Sequence, residues 1–214
     1  MYLTRMKLDT LKRRTLLALS VPSLFHGAVE TAFSGERKRN LWRIDKMSEN
    51  YYLLLLSEDL PDLSDAREQF GADNEQWLSK DYNYLLKRIE NGSYWQFRLA
   101  ANPTYTVVLA GKKRGRVCAH TTIENQKKWF IGQSEKYGFQ VEEGGFDVLA
   151  QRWYHFSKGA SHKKINMLLV TFEGRLKVTD VKLFKEALLH GIGREKAYGA
   201  GLMTLMQSRG SENG

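Results

Sequence analysis

The order of strand-like and helix-like segments is the feature that most constrains the fold. Tyr2–Leu8 alternates apolar and polar residues with a period of two, which predicts a half-buried strand. The segments that follow are a helical stretch ending near Phe33, strands at Asn40–Asp45 and Tyr51–Leu56, a helix at Trp77–Arg88 and a strand at Tyr94–Ala100. This βαββαβ order predicts a ferredoxin-like domain.

The second half of the chain repeats this order more loosely, after a boundary predicted at Asn102–Pro103. Its predicted elements are strand Tyr105–Ala110, helix Thr122–Tyr137 with Thr122 as N-cap and Gly138 as C-cap, strands Phe139–Glu142, Trp153–Phe156 and Ile165–Val178, helix Asp180–His190 and strand Leu202–Met206. We therefore predict an α+β protein with two units, residues 1–101 and 102–214.

The charge of the chain points to a polyanionic partner. The formal net charge is +9, which suits nucleic acid first and an anionic membrane surface second. No apolar run approaches the roughly 18 residues of a membrane helix. The basic and then apolar stretch Lys12–Phe25 has the profile of a signal peptide, but a strand-like segment precedes it and no clear cleavage site follows, so we interpret it as helix.

The cysteine and histidine residues argue against a metal site. Cys118 is the single cysteine, which excludes an internal disulfide and a Cys-rich zinc site and fits a reducing cytoplasm. The five histidines are too scattered along the chain to form a ligand set. We predict a cytoplasmic protein that uses no metal and no cofactor.

His26 is the strongest candidate for chemistry. The segment Ser20–Phe33 predicts a helix with Ser20 as N-cap and Pro22 in its first turn, which places His26 about one turn in. The positive end of a helix dipole lowers the pKa of a nearby histidine, and a neutral imidazole can accept the proton of an RNA 2′-hydroxyl. A purely structural histidine is the alternative, and Glu30 is either an acid that orients the imidazole or a surface residue.

Three basic clusters are candidates for phosphate contacts, because Lys and Arg neutralise the nucleic-acid backbone. They are Arg37, Lys38 and Arg39 after the His26 helix; Lys112, Lys113, Arg114 and Arg116 in a glycine-flanked loop; and Lys158, Lys163 and Lys164 at the tip of a predicted hairpin. A basic hairpin can enter the deep groove of an RNA helix near the helix end. A solvated surface is the alternative for each cluster.

A glycine-rich loop follows the last predicted helix. It contains Gly191, Gly193, Gly199 and Gly201 together with Arg194 and Lys196. It is neither a P-loop nor a dinucleotide fingerprint, because it joins a helix to a strand and lacks Gly-Lys-Ser/Thr. Such glycines allow the backbone to approach a phosphate closely, although a simple connection between helix and strand is the alternative.

Together these segments resemble the CRISPR-associated endoribonucleases of the CasE (Cse) type. The resemblance runs nearly end to end and rests on an N-terminal Met-Tyr-Leu, the His26 helix start, Asn40–Asp45, Phe97–Pro103 (Phe-Arg-Leu-Ala-Ala-Asn-Pro), Val170–Leu176 and His190–Leu202. It implies two tandem ferredoxin-like domains and metal-independent cleavage of precursor CRISPR RNA at the base of the repeat stem-loop. It also implies a retained product and a place in a multi-subunit RNA-guided surveillance complex.

The resemblance assigns roles to particular residues. His26 matches the catalytic histidine, Gly191–Gly201 matches the RNA-facing glycine loop, and Lys158–Lys164 corresponds to the groove-entering hairpin. Ser23 stands where family members often carry a tyrosine on the same helical face, so we take Ser23 as its candidate replacement. Two alternatives stay open from the sequence: a non-catalytic subunit that binds stem-loop RNA, and a basic protein-interaction module.

Overall fold

The first half of the chain forms a complete ferredoxin-like domain by residue 81. The structure is a computed structural model that describes residues 1–35, 38–108, 115–158 and 163–207. The elements of the first half are β1 (Tyr2–Leu8), α1 (Arg13–Ser20), α2 (Ser23–Thr31), β2 (Leu41–Met47), β3 (Asn50–Ser57), α3 (Ser64–Phe70), β4 (Leu78–Asp81) and α4 (Asn83–Lys87). The four strands form an antiparallel sheet in the order β2-β3-β1-β4.

The second half repeats the arrangement with longer strands. Its elements are β5 (Tyr94–Ala101), β6 (Thr104–Val107), β7 (Arg116–Ala119), α5 (Ile123–Lys136), β8 (Phe139–Gln140), β9 (Phe146–Lys158), β10 (Lys163–Val178), α6 (Val181–His190), a 3₁₀ turn (Lys196–Tyr198) and β11 (Met203–Gln207). The main sheet has the order β11-β5-β10-β8, β9 pairs with β10, and β6 and β7 form a separate ribbon. The predicted α+β fold of tandem ferredoxin-like domains is confirmed.

The sequence prediction is wrong in the middle of the chain. The helix predicted at Trp77–Arg88 is the short edge strand β4 followed by α4, and β4 completes the first sheet. The strand predicted at Tyr94–Ala100 is present, but it pairs with β10 and β11 and so opens the second sheet. The division at residue 101 stays a prediction, and this pairing leads us to propose a boundary within residues 82–93 instead.

Helices cover one face of each sheet, and a hydrophobic core lies between the helices and the sheet in each half of the chain. Phe25 of α2 packs on Trp42 and Phe70 in the first core, and Phe130 of α5 stacks on Phe172 in the second. Thr122 caps α5 as predicted, since its hydroxyl accepts a hydrogen bond from the Asn125 backbone N–H. In the parts of the chain that the structure describes, no helix is long and apolar enough to cross a membrane.

A buried arginine of the first sheet, paired with a carboxylate on its own strand, joins the two sheets. Arg43 of β2 donates to both carboxylate oxygens of Asp45 over 2.7 Å, and both side chains are almost fully buried. Arg43 also donates to the carbonyl oxygens of Arg98 and Leu202, at 2.7 and 2.8 Å. Because Leu202 directly follows the glycine-rich loop, this contact holds that loop against the first domain.

Candidate active site

Helix α2 presents His26 at the edge of the first domain. Val21 and Pro22 separate α1 from α2. The His26 backbone N–H donates a hydrogen bond to the Pro22 carbonyl over 3.1 Å. His26 therefore lies one turn into the helix, as predicted. The prediction that Ser20 caps this helix is wrong, because Ser20 is the last residue of α1 and Pro22 occupies the N-cap.

His26 opens into a cleft of about 520 Å³ between the two domains. The cleft is lined by α2, the approach to β2 and the loop after α6: His26, Glu30, Lys38, Arg39, Asn40 and Gly193 to Ala197. Four of these residues are cations and two are carboxylates. The excess of positive charge around a histidine suits a phosphate group.

Among the described residues, Glu30 and Tyr198 contact the imidazole of His26. The Glu30 carboxylate lies one helical turn away, with Oε1 3.9 Å from Nδ1, and both side chains are about three-quarters buried. The Tyr198 ring meets the imidazole edge to face, with ring centroids 6.2 Å apart. Tyr198 is itself held by Phe156 at 5.0 Å. The imidazole is therefore supported by a carboxylate on its own helix and by a buried aromatic ring from the other domain.

Tyr198 is a site residue that the sequence reasoning missed. It lies within the predicted glycine loop, but nothing in the local sequence indicates a contact with a residue 172 positions earlier. Burial, with a smaller contribution from the Glu195 carboxylate, raises the pKa of its phenol above the ordinary value of 10.0. The phenol is therefore neutral at physiological pH and packs against His26 without adding a negative charge to the cleft.

The glycine loop encloses the side chain of Lys196. A Cβ on Gly191 would lie 3.0 Å from Lys196 Cε, and one on Gly201 would lie 3.2 Å from Lys196 Cγ. Both glycines have positive φ, at 76° and 94°, which strains any other residue type. The glycines are thus needed for the packing of the loop itself, because they form a channel for the lysine stem.

Lys196 carries its charge in an unfavourable environment. Burial lowers the pKa of its ammonium group below 10.5, and the positive charges of Arg39 and Lys136 lower it further. A cation that is partly desolvated and surrounded by other cations gains strongly from an added anion. This is the electrostatic property expected of a site for a phosphodiester.

Comparison with known proteins identifies the family. A family model described as CRISPR associated protein matches residues 1–207. The chain belongs to this family. It is 29% identical over 219 residues to the CRISPR-associated endoribonuclease Cse3 of Thermus thermophilus, an alignment that covers 96% of this chain and 99% of the relative. The resemblance drawn from the sequence motifs is therefore confirmed.

Solved structures agree with this assignment. Thermus thermophilus Cse3 bound to an RNA representing a pre-cleavage complex superposes with a TM-score of 0.79 at 26% identity, covering 96% of this chain and 98% of that one. A chain of a CRISPR RNA-guided surveillance complex superposes with a TM-score of 0.71 at 21% identity, covering 97% and 100%. At that identity the second likeness shows the fold alone.

Within this family member, the structure brings together only part of the predicted site. His26, Lys38, Arg39, Gly193, Arg194 and Lys196 line one cleft. Lys38 is also ion-paired with Asp59 at 2.8 Å and with Glu58 at 3.2 Å, so part of its charge is already compensated. Ser23 is half-buried as the first residue of α2 and does not line the cleft. Gly199 packs against the ring of Trp42.

The remaining predicted RNA contacts lie elsewhere. Arg116 is exposed on β7, and Lys164 is exposed on β10. The predicted hairpin is present, since β9 and β10 pair in antiparallel register as far as Lys158 and Lys163. The side chains of these two lysines lie outside the described part of the structure, as do residues Arg37, Lys112, Lys113 and Arg114.

Proposed function

We propose that this protein cleaves precursor CRISPR RNA at the base of the repeat stem-loop. The observation that carries the proposal is the cleft itself, in which His26 lies among Arg39, Arg194 and Lys196. A histidine can move a proton near neutral pH, and the cations can stabilise a phosphate that gains negative charge. The relative in Thermus thermophilus is an endoribonuclease, which matches this chemistry.

The reaction we propose uses the RNA as its own nucleophile. The 2′-oxygen next to the cut attacks the phosphorus, the bond from phosphorus to the 5′-oxygen breaks, and a 2′,3′-cyclic phosphate and a 5′-hydroxyl result. The proton of the 2′-hydroxyl passes to a base, and the departing 5′-oxygen gains a proton from an acid. His26 serves as one of these two groups, and the pH dependence of cleavage distinguishes them.

The surroundings of His26 favour one protonation pattern. A carboxylate close to Nδ1 favours a proton on that nitrogen, which makes Nε2 the nitrogen that exchanges protons with the RNA. The Tyr198 ring limits rotation of the imidazole. Glu30 and Tyr198 would therefore act as positioning residues and take over the role that a tyrosine at position 23 has in many family members, where this chain has Ser23.

The RNA partner would contact both domains. We propose that the β9–β10 hairpin, with Lys158, Lys163 and Lys164, enters the groove of the repeat stem near its end, which would place the scissile phosphate in the His26 cleft. Arg37, Arg116 and Lys112 to Arg114 are proposed as further backbone contacts. By its family, the protein would keep the cleaved RNA bound and join an RNA-guided surveillance complex in the cytoplasm.

The test measures RNA cleavage and RNA binding separately for a His26→Ala variant. Loss of a general acid or base lowers rates by about 10²–10⁴-fold, and we expect this loss in single-turnover cleavage with little change in the dissociation constant. His190→Ala is the matched control, because His190 is an exposed helical histidine that pairs with Glu186 in the same i,i+4 arrangement. Stem-loop RNA that wild type binds tightly but leaves intact would instead indicate a non-catalytic RNA-binding subunit.

A further inference from the structure

A second cavity adjoins the His26 cleft on the other side of Tyr198. It has a volume of about 290 Å³ and lies between the α1–α2 turn and the strands β9 and β10. Tyr198 lines this cavity and also packs against the His26 imidazole. Pro22 and Phe25, four residues and one residue before His26, form another part of its wall. The Tyr198 ring therefore lies between the cavity and the imidazole of His26.

The walls of this cavity combine flat aromatic groups with cations. Tyr51 and Tyr154 are half-buried in it, and the Arg152 guanidinium lies 5.0 Å from the centre of the Tyr154 ring. Lys46 lines the same cavity close to the Tyr51 ring, at 6.0 Å. Trp42 lines it as well, and among the described residues its buried indole N–H has no hydrogen-bond partner.

These properties fit a planar, polar heteroaromatic ring attached to phosphates. Aromatic side chains stack on bases with little regard to sequence. Cations close to these rings suit the phosphates on either side of such a base. Lys46 has an exposed ion pair with Glu49 at 4.0 Å, and an apolar protein segment would add no anion for Lys46 or Arg152, so the charge favours RNA as the occupant.

We propose that this cavity binds the nucleobase of a nucleotide adjacent to the scissile phosphate. The inference rests on the proposed function, because it assumes that RNA passes through the His26 cleft. Extraction of one base from the stack would hold the sugar and phosphate beside it in a fixed orientation at His26. The cavity thus acts as a positioning site for the cut.

Filling the cavity tests the proposal without altering the residues that contact His26. Ala150 lies on β9, is exposed and lines the cavity, so Ala150→Trp fills the space from its rim. Leu60→Trp is the matched control, since Leu60 is 61% exposed on a loop away from the cavity. Each protein is given repeat RNA that is intact or carries a ribose abasic residue on one side of the cut or the other.

In wild type, removal of the bound base should lower kcat/KM by roughly 5- to 150-fold, the range for one lost base-stacking contact. Ala150→Trp should show the same loss on intact RNA and no further loss on the abasic RNA, and Leu60→Trp should behave like wild type. Equal sensitivity of wild type and Ala150→Trp to both abasic residues would overturn the proposal. So would full activity of Ala150→Trp on intact RNA.

A binding measurement keeps the test independent of cleavage. RNA with 2-aminopurine next to the cut should change its fluorescence on binding wild type, because the probe leaves the RNA stack and enters the cavity, and the change should be smaller with Ala150→Trp or with Tyr154→Leu. If wild type gives this cavity-dependent change but cleaves nothing, the cavity proposal is supported and the proposed nuclease fails. If wild type cleaves the RNA and the fluorescence at both positions is the same for wild type and the two variants, the cavity proposal fails and the nuclease proposal is unaffected.

Discussion

The Arg43–Asp45 pair within β2 fixes the arginine that reaches the second domain, and its loss allows a quantitative prediction. Asp45→Ala removes two charge-assisted hydrogen bonds of 2.7 Å and leaves the Arg43 guanidinium buried. Breaking a buried pair in this way lowers stability by about 3–5 kcal/mol. Arg43 keeps the Arg98 and Leu202 carbonyls and the Thr204 hydroxyl as acceptors. We therefore expect the lower part of the range, about 3 kcal/mol of a total near 5–15.

Thermal and urea unfolding would measure this loss. For a chain of this size, a loss of about 3 kcal/mol corresponds to a fall in Tm of roughly 6–12 °C. Asp147→Ala is the control, because Asp147 forms an equally short pair with Lys127 but is 71% exposed, and exposed pairs contribute less than about 1 kcal/mol. If Asp45→Ala and Asp147→Ala shift the unfolding midpoint by the same small amount, the buried pair contributes no more to stability than an exposed one, which contradicts the prediction.

Two further predictions concern the glycine loop. Lys196→Met should lower kcat/KM about 10- to 100-fold, as for a lost charge-assisted hydrogen bond. Its Tm at pH 7 should be no lower than that of wild type, because a lysine with a lowered pKa opposes folding while charged, and this penalty fades as pH rises from that pKa to the ordinary value of 10.5. Gly201→Ala should lower the urea-unfolding free energy by about 1–3 kcal/mol, since φ is 94° and the new Cβ would lie 3.0 Å from the Ile192 carbonyl. Gly144→Ala shares the positive φ but meets no atom within 4 Å, so a smaller loss there isolates the effect of crowding, and equal losses would show that crowding at Gly201 costs no stability.

Local patterns predicted most elements but not which strands pair. The alternation in Tyr94–Ala101 indicates a half-buried strand, whereas its partners β10 and β11 lie about 70 to 110 residues later and leave no local signal. The edge strand Leu78–Asp81 is short, mostly exposed and poor in β-branched residues, so the apolar residues around it resembled a helical pattern. Non-local pairing therefore accounts for the misplaced strand.

For the candidate site too, the local features were predicted and the contacts between distant residues were not. His26, Glu30 and the glycine loop follow from residue types and spacing, since a helix start and a glycine cluster are local features. The contact between His26 and Tyr198 depends on docking of the second domain on the first. The channel that Gly191 and Gly201 form around Lys196 depends on loop geometry that no sequence period encodes.

Cleavage of a single-substituted RNA is the most direct test of the central claim. A repeat stem-loop with one 2′-deoxy sugar at the cut site is compared with all-ribose RNA, in the presence of a chelator, and the product ends are analysed. We expect the ribose RNA to give a 2′,3′-cyclic phosphate and a 5′-hydroxyl, and the deoxy RNA to bind equally well and stay intact. Cleavage of the deoxy RNA at the same position, or a product with a 5′-phosphate, would contradict the mechanism.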